Sequence, residues 1–429
     1  MKSSETLVRI KEKVKKMSPR VLLSIYHFIW SLLGALIYGM PSRKIIVIGV
    51  TGTKGKSSVV EMSNAIFEEA GYKTALASTI RVKIAATSKP NLRKMTMPGR
   101  LFVQRFLRDA VYEKCDVAFL EMTSEGAKQH RHRFIHLNAL IFTNLQREHI
   151  ESHGSYENYI KAKLRIGKQL VKSRKRPRII VANSDDEQGV RFLSLPVDTA
   201  IPFGLSMSEP YRLEDSRVIF RFDDTDIELP LPGGFNLYNA LASAVLARSF
   251  GIKTPTIARA IKKMKVIPGR TQEINEGQPF KVVVDYAHTP DSLRAIYEAY
   301  PSYRKICILG STGGGRDKWK RPEMGRIAEE YCSHIILTDE DPYDESPQNI
   351  VEEIASGVTR KQPEIILDRR KAIEHGISIA SPKDIVMITG KGTDPFIMGR
   401  DGSKQKWSDE QITRVALSSL VDARKSTLQ

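Results

Sequence analysis

The sequence predicts an α/β protein with two doubly wound units, each a mostly parallel sheet with helices on both faces, and a small antiparallel part between them. Three observations carry this. Short apolar, β-branched runs alternate with helical spacing from Lys44 to Asn183. The stretch "RVIFRFDDTDIELPLPGG" (217–234) breaks the alternation and reads as antiparallel strands with turns. The alternation then restarts at "KVVVDYA" (281–287) and runs to "DIVMITG" (384–390).

Residues 1–20 carry seven Lys or Arg and two Glu, whereas 21–40, "VLLSIYHFIWSLLGALIYGM", carry no Asp, Glu, Lys or Arg. That run is long enough to span a bilayer. No small-residue cleavage site follows it; Pro41 ends it, and a strand begins almost at once. A span would put the basic residues outside while the glycine-rich loop after it faces the cytosol, against the positive-inside tendency. The expectation is a helix packed on the protein or lying on a membrane surface, ahead of a true span.

"KIIVIGV" (44–50) reads as a buried strand, and "KSSVVEMSNAIFEEAGY" (56–72) as a helix stopping near Gly71. "DVAFLEM" (116–122), "NALIFTN" (138–144) and "RIIVAN" (178–183) are further strands of the first unit. "NLYNALASAVLARSFG" (236–251) reads as a helix and "IPGRTQE" (267–273) as a connector. "KICILG", "HIILTDE" and "EIILD" supply strands of the second unit. The expected division is an N-terminal helical segment at 1–43, a central nucleotide-binding domain at 44–266 and a Rossmann-like domain at 267–429.

With 429 residues and 41% hydrophobic content there is enough apolar material for two or more cores. The chain has 67 Lys and Arg against 49 Asp and Glu, net +18, which suits an anionic partner. There is no zinc-finger spacing, RNP-like motif or basic reading helix, so nucleic acid is not the expected partner. Cys115, Cys307 and Cys332 are scattered beside apolar runs. They are expected to pack in the core without a disulfide framework, which fits the cytoplasm.

The stretch "VIGVTGTKGKSSVVE" (47–61) has the context of a phosphate-binding loop, a strand before and a helix after. It misses the Walker A spacing, because the residue five before Gly55 is Val50. The physical parts are still there. Gly52 and Gly55 let backbone N–H groups close on phosphate oxygens, and the helix start adds its positive end. Lys56 can reach terminal phosphates, and the Ser57 hydroxyl can meet Mg²⁺.

"GTKGKSS" (52–58) resembles the ATP loop of the Mur ligase superfamily, with Lys54 where that family usually has Asn. That superfamily forms amide bonds and includes folylpolyglutamate and cyanophycin synthetases. "FTNLQREHIESHG" (142–154), "GGFNLYNALAS" (233–243) and "IPGR" resemble further family segments in order, with Glu148 in place of Asp. "VVVDYAHTPDSL" (282–293), "GRDKWKRPEMG" (315–325), "LDRRKAI" (367–373) and "ITGKGTD" (388–394) are similar to the MurE branch. That branch adds the third residue to UDP-N-acetylmuramoyl peptides. Its members normally begin with a separate domain that grips the uridine nucleotide. Here 43 residues precede the first strand signal, so that domain is expected to be lacking.

The resemblance implies ATP and Mg²⁺, with an acyl phosphate formed on the substrate carboxylate. It places ATP on Gly52, Thr53, Gly55, Lys56, Ser57 and Ser58, with Asn239 on the adenine side and Arg270 and Asp285 at phosphate and ribose. Glu121 ends a strand, at the mouth where ligands of open α/β sheets bind. By resemblance Glu121 joins Ser57 on one Mg²⁺, and His149 and a carbamylated Lys163 serve the second metal position. His132 and His136 are read as structural. Thr96, Thr123, Gln129 and Arg131 are implied on the muramoyl-peptide.

On the amino-acid side the resemblance implies Asp341, Tyr343, Gly390 and Asp394. "TDEDPYDE" lacks the arginine of the DNPR motif found in diaminopimelate-adding members, and "GKGTD" replaces GKGHE. The pocket therefore reads as less suited to diaminopimelate, leaving lysine or another amino acid open. The expected activity is ligation of an amino acid to a UDP-N-acetylmuramoyl-peptide in the cytoplasm, with small-molecule partners and membrane-surface contact through 21–40 left open. The alternatives are a Mur-superfamily ligase on another cell-wall peptide or a folate-type substrate, and a nucleotide-binding subunit docked on a membrane or partner.

Overall fold

β-Branched runs flanked by glycines and helices build the centre of the first sheet. A computed structural model of the chain describes residues 20–148 and 150–427. β1 (Ile46–Thr51) lies in the middle of an eight-stranded sheet of order β4-β3-β2-β5-β1-β6-β7-β8. Its parallel neighbours are β5 (Val117–Glu121) and β6 (Ala139–Phe142), with Val50 opposite Glu121 and Ile141. β7 (Ile179–Asn183) and β8 (Thr199–Phe203) continue it in parallel on one side, and β2 (Thr74–Ala77) on the other. β3 (Arg81–Ile84) and β4 (Thr87–Pro90) are an antiparallel extension that the sequence reading missed. β4 is fully exposed and polar, so it carries no apolar periodicity.

Both faces of this sheet are covered. Helix Lys56–Glu69 packs on one face, against helix Gly234–Ser249. The second helix brings Ala240, Ala244 and Ala247 into the core, and such small side chains let two helices approach closely. Helices Arg100–Tyr112 and Tyr156–Val171 cover the other face through Val103, Phe106, Leu107, Ile160, Ile166 and Leu170. A small antiparallel sheet of β9 (Tyr211–Leu213), β10 (Val218–Phe222) and β11 (Thr225–Leu229) matches the expected break. Val218, Phe220 and Phe222 point into the core at period two, and Asp223 and Asp224 make the turn with positive φ.

The second large sheet has order β12-β13-β17-β14-β15-β16. β13 (Lys281–Asp285), β14 (Arg304–Leu309), β15 (His334–Leu337), β16 (Glu364–Ile365) and β17 (Asp384–Thr389) are parallel, and β12 (Gln272–Glu273) is antiparallel to β13. A hairpin, β18 (Phe396–Met398) and β19 (Lys404–Lys406), follows. Helix Asp409–Thr427 closes the chain, tied by the fully buried Arg369–Asp409 pair at 2.9 and 2.7 Å.

The cysteine expectation is corrected in part. Cys307 on β14 and Cys332 after helix Lys320–Tyr331 are bonded as a disulfide, with Cα atoms 6.0 Å apart. The crossover from β14 through helix Lys320–Tyr331 brought together residues 25 apart in sequence, which spacing alone did not reveal. Cys115 is a free, buried thiol.

Residues 20–37 form a helix that packs on helix Arg100–Tyr112. Among the described residues, no helix is long and apolar enough to cross a membrane.

Candidate functional site

The loop after β1 is held by the residues that end β6. Thr53 N–H donates to Asn144 O at 2.8 Å, Lys54 N–H to Asn144 Oδ1 at 2.9 Å, and Thr143 Oγ1 to Lys54 O at 2.6 Å. The "TN" pair of the sequence therefore clamps the loop. The approach is so close that a Cβ on Gly52 would lie 1.9 Å from Thr143 Oγ1, and Gly52 has φ +151°. Gly55 caps helix Lys56–Glu69 at φ +81°, where a Cβ would meet Asn239 Oδ1 at 2.3 Å. Asn239 thus sits against the loop. Lys56 Nζ donates to Thr53 O at 2.8 Å. Burial holds its pKa below the usual lysine value, and Glu121 and Glu148 oppose that shift. Ser58 is buried in the first helical turn.

Glu121 ends β5 beside this loop and is almost fully buried. It accepts Ser57 Oγ at 2.9 Å, Thr79 N–H at 2.8 Å and Thr79 Oγ1 at 3.1 Å. Thr79 Oγ1 in turn meets Thr96 Oγ1 at 2.7 Å. A continuous chain therefore runs from Ser57 through Glu121 and Thr79 to Thr96. Thr79 was not singled out from sequence, because an isolated Thr in "ASTIR" carries no motif.

Lys163, buried on helix Tyr156–Val171, donates to Gly52 O and lies 4.9 Å from the Tyr159 ring centre. Burial drives its pKa well below the lysine range, and the neighbouring Lys56 charge adds to this. Burial therefore favours the neutral form of the amine. Tyr159 OH meets Thr53 Oγ1 at 3.0 Å, which fixes both to the loop. Lys54 Nζ and Glu148 Oε1 pair at 2.5 Å. His149 lies outside the described residues, so its predicted metal role has no geometry here.

The second sheet faces this loop. Asp285 ends β13 and accepts Thr271 N–H and Ala287 N–H, both at 2.7 Å. Burial pushes its pKa up, opposed by Arg270 and those donors. Arg270 stacks over the Tyr286 ring at 4.5 Å, and its charge is felt at Lys56. Arg270 and Asp285 are thus brought across the cleft from the glycine-rich loop.

A cavity of about 260 Å³ opens at the carboxyl ends of the second sheet's strands. Tyr286, His288, Arg316, Glu340, Asp341 and Tyr343 form part of its wall, with Asp394 and Phe396 after β17. Arg93 and Lys94, from the loop after β4, close it from the first sheet's side. Lys391 Nζ bonds Asp341 Oδ1 at 2.8 Å and Asp394 Oδ2 at 3.4 Å. Lys94 also pairs with Asp341, and with Asp394 at 3.2 Å. Burial raises Asp341, but Lys391 and Lys94 outweigh it and hold the carboxyl below its usual range. Gly390 has φ +109°, with Glu340 Oε2 2.7 Å from where a Cβ would stand; it shapes the turn and does not line the cavity. Arg93, Lys94 and Lys391 were missed as site residues, although Lys391 lies inside a motif already noted, "ITGKGTD".

The segment after β5 carries the other expected residues. Thr123 caps helix Ser124–Lys128 by accepting Gly126 N–H at 3.1 Å. Arg131 donates to Gln129 Oε1 at 2.6 Å and to Met97 O. Gln129 and Arg131 are thus adjacent, and the loop carrying Thr96 joins them through Met97.

Two family models match the chain: the Mur ligase middle domain over residues 50–247 and the Mur ligase, glutamate ligase domain over 269–392. The chain is 34% identical over 386 residues to the UDP-N-acetylmuramoyl-L-alanyl-D-glutamate–2,6-diaminopimelate ligase of Syntrophomonas wolfei subsp. wolfei, covering 86% of this chain and 78% of that protein. It is 32% identical to the ligase of the same name from Geobacillus kaustophilus, covering 93% and 84%. A solved structure of a ligase of that name aligns with TM-score 0.59 at 27% identity, over 88% of this chain and 79% of that one. Mycobacterium tuberculosis folylpolyglutamate synthase, complexed with ADP and AMPPCP, shares the fold with TM-score 0.68 at 16% identity, over 90% and 96%. With both domain models matched and its glycine-rich loop, buried Glu121 and Lys163 facing the second sheet, the chain belongs to the Mur ligase family, on the MurE-like side.

Proposed function

We propose that the chain is an ATP-dependent ligase that joins an amino acid to a UDP-N-acetylmuramoyl-peptide in peptidoglycan precursor synthesis. One observation carries the reading: Ser57, Glu121 and Lys163 converge at the ends of β1 and β5, opposite Arg270 and Asp285. The relatives are named for diaminopimelate ligation to the UDP-N-acetylmuramoyl dipeptide. Residues 44–266 then hold the ATP loop, and 267–429 supply the facing wall.

Gly52, Thr53, Gly55, Lys56, Ser57 and Ser58 would cradle the ATP phosphates, with Asn239 on the adenine side. The oxygen donors Ser57 Oγ and the Glu121 carboxylate suit a hard cation such as Mg²⁺. When bound, Mg²⁺ neutralises phosphate charge and lets two anions approach. Lys56 holds the terminal phosphate and Arg270 faces it from across the cleft. A neutral Lys163 amine is the form that can add CO₂, losing a proton, to become a carbamate, which would join His149 in serving the second metal position. The substrate carboxylate attacks the γ-phosphate, ADP leaves, and an acyl phosphate forms. The incoming amine, having lost its proton, attacks the acyl carbon and phosphate leaves.

Thr96, Thr123, Gln129 and Arg131 are the residues for the muramoyl-peptide, Arg131 by a fork to an anionic group. The amino acid fits the cavity beside Asp341, Tyr343 and Asp394, at the turn that Gly390 shapes. The cavity presents both signs, with Arg93 and Arg316 for a carboxylate and Asp341, Glu340 and Asp394 for an ammonium. Diaminopimelate is the first candidate from the relatives. The cavity arginines stand where no DNPR arginine is present, and lysine is the second candidate. We place the enzyme in the cytoplasm, with residues 21–40 contacting the membrane surface.

The test is phosphate release from ATP and Mg²⁺ in the presence of UDP-N-acetylmuramoyl-L-Ala-D-Glu and single amino acids. Release that needs both the dipeptide and one amino acid supports the ligase and names its residue. Release with a folate and glutamate instead would favour the folate-type alternative. No turnover with any acceptor would favour a nucleotide-binding subunit.

A further inference from the structure

Helix Arg20–Ile37 packs with the wrong side out for a water-facing helix. Its inner face is small or polar: Ser24, His27, Ser31, Gly34 and Ala35 recur at helical spacing against the protein. Ser24 Oγ meets His130 Nε2 at 2.8 Å, and Ser31 Oγ donates to His130 O at 3.0 Å. Its outer face is large and apolar: Leu22, Ile25, Ile29, Leu33, Leu36 and Ile37 follow the same spacing and are 40–67% exposed. Of the 20 exposed large hydrophobic residues among those described, nine lie on this one helix of 18 residues. Scattered exposed apolar side chains need no explanation, but a contiguous stripe of this kind marks a contact surface.

The chemistry around the stripe selects the partner. Tyr26 and Trp30 sit on the exposed side, 6.2 Å apart edge to face, and such aromatics favour the level of lipid headgroups. The preceding residues 1–20 carry seven Lys or Arg against two Glu. Arg108 lies over the Tyr38 ring at 5.0 Å and Arg133 over Phe28 at 5.9 Å, so cations flank the apolar face along its length. An apolar stripe beside a basic flank matches an anionic bilayer surface, where burial of side chains and attraction to headgroups add. The inner face of the helix is packed along the protein, so the contact is in the plane of the surface.

Building on the reading of residues 21–40 given above, we infer that helix Arg20–Ile37 is an interfacial helix docking the enzyme on an anionic lipid bilayer. Its inner face grips the segment that carries Gln129 and Arg131, because His130 is the residue both serines hold. Phe28 adds ring contacts to His130 and Phe134, at 6.0 and 5.4 Å. Docking therefore places the muramoyl-peptide segment on the membrane side of the molecule. Binding at the outer face leaves the inner contacts in place, so lipid is a tether and not a catalytic participant.

The test is flotation of the full chain with vesicles of phosphatidylcholine alone or with phosphatidylglycerol, for wild type and an Ile29→Glu/Leu33→Glu double variant. Both substitutions are on the exposed face. Wild type is expected to float with the anionic vesicles, less so with rising salt, and the variant at least tenfold more weakly. The variant is expected to keep wild-type phosphate release with soluble substrates, so loss of docking and failure of the ligase reading are separable. Equal flotation with neutral vesicles, or binding undiminished in the variant, overturns the inference. So does a wild-type dimer that floats with neither and becomes a monomer on substitution, since a second copy then covers the stripe.

Discussion

Glu121 Oε2 accepts the Ser57 hydroxyl at 2.9 Å, joining the last residue of β5 to the first turn of helix Lys56–Glu69, 64 positions away in sequence. The carboxylate is also held by Thr79 through both N–H and Oγ1. Its orientation is therefore set before any ligand arrives. Glu121→Gln keeps an acceptor for Ser57 and removes the negative charge. Phosphate release is expected to fall about a hundredfold or more, the scale for losing one preorganised charged group. Turnover equal to wild type would sink the metal-ligand assignment.

Lys163 separates a structural from a chemical role. Its amine is buried, bonded to Gly52 O and held far below the usual lysine range by burial. Lys163→Arg puts a fixed cation at this position and cannot form a carbamate. The expected result is loss of turnover in Lys163→Arg and in Lys163→Ala, with partial rescue of the alanine variant by short carboxylic acids. Wild-type activity should fall when CO₂ and bicarbonate are removed. Full activity of Lys163→Arg would show that charge alone suffices.

Lys94 crosses from the first sheet's side to pair with Asp341 and Asp394 on the second. It closes the cavity beside Asp341 and also screens its carboxylates. Lys94→Met is expected to raise KM for the amino acid about tenfold, equivalent to 1.4 kcal/mol, and to leave KM for ATP unchanged. A double-mutant cycle with Asp341→Asn should give a coupling of about 1 kcal/mol. Equal changes in both KM values would mean that the pair supports the fold and not the pocket.

The parallel strands were legible because each is a short apolar run bounded by glycine or a helix, as in β1 and β17. The loop was legible because Gly52, Gly55 and Lys56 stand close together in sequence between a strand and a helix, even though the spacing departs from Walker A. Contacts that depend on tertiary approach were not. Lys94 reaches Asp341 across 247 positions, and nothing local marks it among the chain's many lysines. Thr79 acts only through Glu121. The orientation of helix Arg20–Ile37 was hidden for another reason: its sequence is apolar almost throughout, and only the packing partner reveals which stripe faces out.

Arg369 and Asp409 are both fully buried and bonded through two nitrogen–oxygen contacts. Arg369 NH2 also donates to Thr389 O at 2.8 Å, and Trp407 Nε1 to Asp409 Oδ1 at 2.7 Å. The pair therefore locks the C-terminal helix to the end of β17. Removing one partner strands a buried charge, which costs about 3–5 kcal/mol. Arg369→Met is expected to lower denaturant stability by that amount, and Arg369→Met with Asp409→Leu to recover part of it. A single variant as stable as wild type would show that water reaches the pair.

Glu329 gives the sign of one pH dependence. Its carboxylate accepts N–H groups from Arg360, Thr359 at 2.8 Å and Lys361 at 3.0 Å. The Arg360 N–H is the leading cause that lowers its pKa from 4.5 to about 2, with burial opposing. The folded value lies below the unfolded one, so the unfolded chain takes up the proton first as pH falls. The stabilisation is fully present above about 4.5 and is lost as pH drops through about 2. Glu329→Gln keeps an acceptor for the N–H groups without the charge. The stability gap between wild type and this variant, read by urea unfolding, should be constant near neutral pH and close progressively between 4.5 and 2. A gap that stays constant across that window would mean that the carboxylate titrates alike in both states, and that the three N–H donors do not favour its ionised form.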